Sequence, residues 1–174
     1  MRKFLLVFLM MVTVLVPPVL ADNFDIAFSF GAENYKWWND GISFSYGMNF
    51  GFTPRFEIDL WGISDLIPMP FESNMFGIDF TFALLGRRSS GTIVAGSGIN
   101  MLLSVGAFYR TDNNGAGPIV SLTPLTVGSP ITTKRERLLK TGVGWDFVNN
   151  ELVVTFSLMN FDYYVRGTYR DYEY

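Results

Sequence analysis

The chain has no cysteine and no histidine among its 174 residues. Lacking Cys, it can form no disulfide framework, offers no thiol nucleophile and has no processed cysteine to carry a lipid. Lacking His, it has no side chain that ordinarily titrates near neutrality and misses the commonest transition-metal ligand. Neither catalysis nor a metal or cofactor site is therefore expected. Glu57 and Asp59 share a strand face but read as ion-pair members beside Arg55, and Gly96-Ser97-Gly98 does not complete a nucleophile elbow. Charge is also scarce. Charged residues make up 17%, no more than the 17% of aromatic residues, and a soluble domain of this size normally carries more charge on its exposed face.

Long apolar runs are missing beyond the N-terminus, where no window offers the roughly 20 apolar residues of a membrane helix. Residues 1–21 read as a cleaved signal peptide. Arg2 and Lys3 make a basic start, Phe4 to Leu15 an apolar centre, and Val19-Leu20-Ala21 a small-residue cleavage site. Export by the general secretory route is expected, with residues 22–174 as one domain. Removing Arg2 and Lys3 leaves 11 basic against 16 acidic residues, a mature charge of about −5 that makes nucleic acid an unsuitable partner.

What is present is a period of two. From Gly41 to Phe52, the large residues Ile42, Phe44, Tyr46, Met48, Phe50 and Phe52 alternate without a miss with Gly41, Ser43, Ser45, Gly47, Asn49 and Gly51. The same pattern predicts strands at 24–30, 55–61, 75–85 and 92–110, then 138–148, a seventh from Leu152 to Leu158 and an eighth at 163–174. Pro118 to Val127, interrupted by Pro124, reads as part of an external loop over 111–137. With both termini periplasmic, the turns at Thr53-Pro54, Gly86 to Gly91 and Asn149-Asn150 then share one side. The long connections 31–40, 62–74 and 111–137 share the other. That asymmetry is the one outer-membrane barrels display.

The expected fold is all-β: a closed antiparallel up-and-down transmembrane β-barrel of eight strands, or ten if Pro118 to Val127 and one more segment are promoted. The alternating strands, the short turns and the aromatic end at Tyr172 and Tyr174 resemble the small outer-membrane barrels of the OmpA-barrel, OmpX and OmpW types. The resemblance is one of architecture and implies a bacterial outer-membrane location. Outer-membrane lipid is then one partner, and the barrel-assembly machinery, reading the C-terminal strand, another.

In an eight-stranded barrel the bore is about wide enough for side chains to fill, and buried charges must be paired. Arg55, Glu57, Asp59, Asp79, Arg110, Lys140, Asp146, Glu151, Arg166 and Arg170, with Asp25, form the expected lumen network, giving a plugged, salt-bridged interior. Tyr35, Trp37, Trp38, Trp61 and Trp145 are girdle candidates. Tyr35, Trp37 and Trp38 in the first external loop are candidates for binding an external surface ligand. So are Lys134, Arg135 and Arg137 at an outer rim, where anionic head groups are the other fit.

The expected role is a structural and surface-interaction protein. One alternative is OmpW-like transport of small hydrophobic molecules, which needs an apolar funnel near the outer mouth; the inward apolar residues available for it, Val94, Leu102, Phe108, Val148, Val153 and Met159, do not cluster in the sequence pattern. The other is a soluble periplasmic lipocalin-like carrier, in which the large face becomes the lining.

Overall fold

The computed structural model describes residues 25–34, 43–53, 55–65, 74–85, 100–128 and 134–166. They form eight strands: β1 (Asp25–Asn34), β2 (Ser43–Thr53), β3 (Phe56–Asp65), β4 (Asn74–Leu85), β5 (Asn100–Arg110), β6 (Ala116–Gly128), β7 (Lys134–Asp146) and β8 (Glu151–Arg166). Each pairs antiparallel with the next, and β8 closes onto β1. The fold is therefore a closed eight-stranded up-and-down barrel, as the alternation predicts. Closure leaves no unpaired sheet edge.

Besides longer ends on β1, β3 and β7, two differences from the sequence reading change which segments count as strands. Residues 116–128 are a strand, and residues 151–166 are one continuous strand rather than the end of a seventh and the start of an eighth. Both differences have one cause. Asn100 pairs with Thr126 but Leu102 with Thr123, so β6 carries one residue more than β5. Ala32 pairs with Met159 but Glu33 with Ser157, so β8 carries one more than β1. Between them, the β7–β8 ladder passes over Leu139 and Leu158, and Leu139 has a positive φ of 58°. One extra residue thus runs through three neighbouring strands, and a β-bulge of this kind reverses the inside and outside phases of the sequence beyond it. Pro124 falls at the irregular stretch, where a missing N–H breaks no regular ladder.

Admitting β6 to the barrel also moves the turns. Residues 147–150 join β7 to β8 at the barrel end opposite the β2–β3 turn at Arg55, so the short connections do not share a side. The expected loop asymmetry is absent for that reason. The first strand runs past its predicted end to Asn34, carrying Glu33 into the barrel wall. Tyr35, Trp37, Trp38, Val94, Arg170, Tyr172 and Tyr174 lie outside the described residues, as do residues 1–21.

Candidate functional site

The polarity of the barrel is inverted relative to a soluble protein. On β2, Ser43, Ser45 and Asn49 are buried while Phe44 and Tyr46 are exposed. On β4, Met75, Asp79, Thr81 and Ala83 turn inward and Phe76, Ile78, Phe80, Phe82 and Leu84 outward. Among the described residues, Lys134 and Glu136, at the start of β7, are charges on the outer wall. They pair with each other at 2.6 Å, and Lys134 Nζ lies 4.7 Å from the centre of the Phe161 ring.

The interior is built around cations from one strand. β7 turns Arg135 and Arg137 inward below the bulge and Lys140 inward above it, because the extra residue shifts the phase between them. Arg135 spans the bore to β3. Its Nη2 donates to Glu57 Oε1 at 2.9 Å, its Nη1 to Glu57 Oε2 at 3.1 Å, and its Nε to Asp162 Oδ2 on β8 at 2.6 Å. Arg137 repeats the arrangement two residues on. Its Nη1 donates to Asp59 Oδ2 at 2.9 Å, and its Nε and Nη2 hold Asp162 at 2.8 and 3.0 Å.

Period two makes this ladder possible. Residues two apart on β7 face residues two apart on β3, so two guanidinium forks stack as rungs over two carboxylates. Ser29 Oγ lies within hydrogen-bond reach of both Asp162 Oδ1 and Asn49 Oδ1, and its single proton serves one of them at a time. Thr81 donates to Asp59 at 2.9 Å and lies 2.7 Å from Ser104. A third rung pairs Lys140 Nζ with Glu33 Oε1 at 3.2 Å, and the ammonium lies 5.3 Å from the Trp61 ring.

Beyond the rungs comes an apolar layer of Ile63, Met75, Phe108, Ile119 and Val153, all buried, with Trp61 packed against it. Next is the rim bearing the 111–115 and 147–150 turns. There Arg110 pairs with Asp112 at 2.9 Å and with Glu151. Asp146 Oδ1 accepts the backbone N–H groups of Val148, Asn149 and Ala116 at 2.9, 3.1 and 3.2 Å. Asn114 and Asn150 take the left-handed conformations these turns require. Charged rungs, an apolar layer and a charged rim thus follow one another along the bore.

Several predicted site residues stand elsewhere. Arg55 is exposed in the β2–β3 turn, one residue before the strand that would aim it inward. Arg135 and Arg137 belong to the interior and not to a rim, while Lys134 is on the outer wall. All three lie towards the end that holds the β1 N-terminus, because β6 reverses the direction expected for β7. Trp61 is inside, where its indole covers Gly77 so closely that a Cβ there would enter the ring. Trp145 is outside. Glu57, Asp59, Asp79, Arg110, Lys140 and Asp146 line the interior as expected, and Glu151 sits at the rim. Arg166 ends β8.

Two central residues escaped the sequence reading. Glu33 continues the inward phase of Asp25, Ala27 and Ser29, a signal that was present. Asp162 was hidden by the bulge. Comparison with protein-family models, with curated proteins and with solved structures finds no match.

Proposed function

We propose that this chain is an outer-membrane barrel whose interior is a structural plug and whose role is exercised at its surface. The observation that carries the reading is the inverted polarity: the outer wall is largely apolar, with Phe28, Phe44, Leu60, Phe80, Val120 and Val143 all exposed, around an interior of paired charges. Exposed apolar patches beyond a few hundred Å² are unusual on soluble monomers. From Phe44 to Phe52 the apolar face runs about 27 Å along the strand, and at a tilt of about 40° it spans about 20 Å. That is close to the apolar band of about 25 Å on membrane barrels.

The same geometry weakens the alternatives. A lipocalin-like carrier needs the large residues as its lining, and here they face outward. A transport funnel needs an open apolar mouth. Phe108 and Val153 do come together, but with Ile63, Met75 and Ile119 they make a filled layer, while Val148 and Met159 are exposed. The surface role leaves the identity of the external ligand to the loops.

The test is gel mobility of the mature protein from isolated outer membranes, boiled and unboiled in detergent. A heat-dependent shift in the membrane fraction is expected. Recovery in the soluble periplasmic fraction with no shift would overturn the reading.

A further inference from the structure

Between the Arg137 and Lys140 rungs the bore is not completely filled. A cavity of about 20 Å³ remains, lined among others by Glu33, Asn49, Asp59, Trp61, Arg137 and Lys140. Among the described residues, three polar atoms of this lining close no hydrogen bond of ordinary geometry: Asn49 Nδ2, Asp59 Oδ1 and Trp61 Nε1. Asn49 and Asp59 are only 2% and 3% exposed. Asp79 Oδ1, outside this lining, is another such atom, and it lies close enough to the Trp61 indole N–H to compete for it. A buried polar group left without a partner is destabilising, so the gathering of three around one cavity points to a guest that joins them.

The chemistry of the lining selects that guest. A cation would meet two N–H donors together with the Arg137 and Lys140 charges. An anion would meet Glu33 and Asp59. The free atoms are donors and an acceptor, so the guest must both accept and donate, and it must be small. A water molecule needs at least about 10–15 Å³ of such space and two to four polar partners. The cavity meets both conditions and admits nothing much larger.

We propose that one long-lived water molecule is bound at this site, accepting from Trp61 Nε1–H and Asn49 Nδ2–H and donating to Asp59 Oδ1. Its second hydrogen is left for Glu33 or Ser45. The water then joins the Arg137–Asp59 rung to the Lys140–Glu33 rung, so that the ionic interior behaves as one network rather than as separate pairs. The inference concerns the bore and stands whether or not the outer wall faces lipid.

The experiment is a water-selective NOE and ROE measurement on the folded, ¹⁵N-labelled protein, in whichever of buffer or detergent micelles holds it folded. The Trp61 indole signal is assigned by its loss in Trp61→Phe. A cross-peak at the water frequency with opposite NOE and ROE signs, the signature of a water resident for longer than about a nanosecond, is expected at Trp61 Hε1. It should disappear in folded Asn49→Leu, whose side chain removes one donor and intrudes on the cavity. The wild-type spectrum decides even if that variant fails to fold. Absence of the cross-peak, as a direct Trp61–Asp79 hydrogen bond would produce, overturns the proposal. Full retention of the cross-peak in folded Asn49→Leu, or a Trp61 shift that saturates with added sodium ion, also overturns it.

Discussion

The two halves of the barrel wall are built differently. β2 to β4 keep one phase along their central spans, and their outer face is largely aromatic. Phe56 stacks on Phe80 with ring centroids 6.4 Å apart and lies 5.0 Å from Phe82, tying β3 to β4. β6 to β8 change phase part-way, and the outer face of β6 and β7 is mostly aliphatic, with Val120, Leu122, Leu139 and Val143 exposed. The regular half contributes acids to the bore, Glu57, Asp59 and Asp79. The bulged half contributes all three cations of the rungs and Asp162. A strand without a bulge can carry its polar face inward unchanged, whereas β7 needs the extra residue to bring Arg135, Arg137 and Lys140 into one bore.

The largest effect is expected at the joint between the halves. Arg135→Ala removes a bidentate partner of Glu57 and one of the guanidinium partners of Asp162, weakening the compensation of two buried carboxylates. Breaking a buried ion pair in this way costs about 3–5 kcal/mol. Denaturant unfolding of the purified barrel should show that loss, and adding Glu57→Gln should restore part of it. If Arg135→Ala unfolds with the wild type, the ladder contributes nothing to holding the halves together.

The second comparison concerns the outer wall. Phe80→Arg in the aromatic half and Val120→Arg in the aliphatic half should each cost about 2–4 kcal/mol when the barrel is folded into lipid bilayers near the midplane. Exposed positions of a soluble protein tolerate such changes within about 0.5 kcal/mol. Equal stability of both variants in bilayers would count against a lipid-facing wall. Slightly smaller is the effect of filling the bore on the regular side. Gly77→Val places atoms where the Trp61 indole lies, and overpacking of this kind costs about 1–3 kcal/mol. Trp61 fluorescence should change with it, whereas an unchanged spectrum and stability would mean that the indole has room to move.

The same division explains what could be read from the chain. Period two located β2, β3 and β4 and assigned their faces, because Phe44 to Phe52 and Phe76 to Leu84 never change phase. It assigned Lys140, Asp146 and Asp79 to the interior on the same ground. It failed where two phases had to be joined. Arg135 and Arg137 are out of phase with Lys140, and Phe161 and Tyr163 with Leu152 and Phe156. A reading that assumes one phase per strand splits β8 and places the two arginines outside. The ladder from β7 to β3 joins residues 78 positions apart, and no local spacing announces such a pairing.

The bulge itself offers the finest test. Leu139 and Leu60 are equally exposed on the outer wall, at 45% and 44%, so truncating either to Gly removes a similar amount of outward apolar surface. They differ in backbone. Leu139 has the left-handed φ of 58°, a conformation costing a non-glycine residue about 1–2 kcal/mol and glycine almost nothing. Leu139→Gly should therefore be less destabilising than Leu60→Gly by about 1 kcal/mol, measured as the difference between two unfolding curves under one condition. If the two substitutions cost the same, the bulge stores no strain. The change of phase would then be an unstrained feature of β7 rather than one held in place by the cations it directs inward.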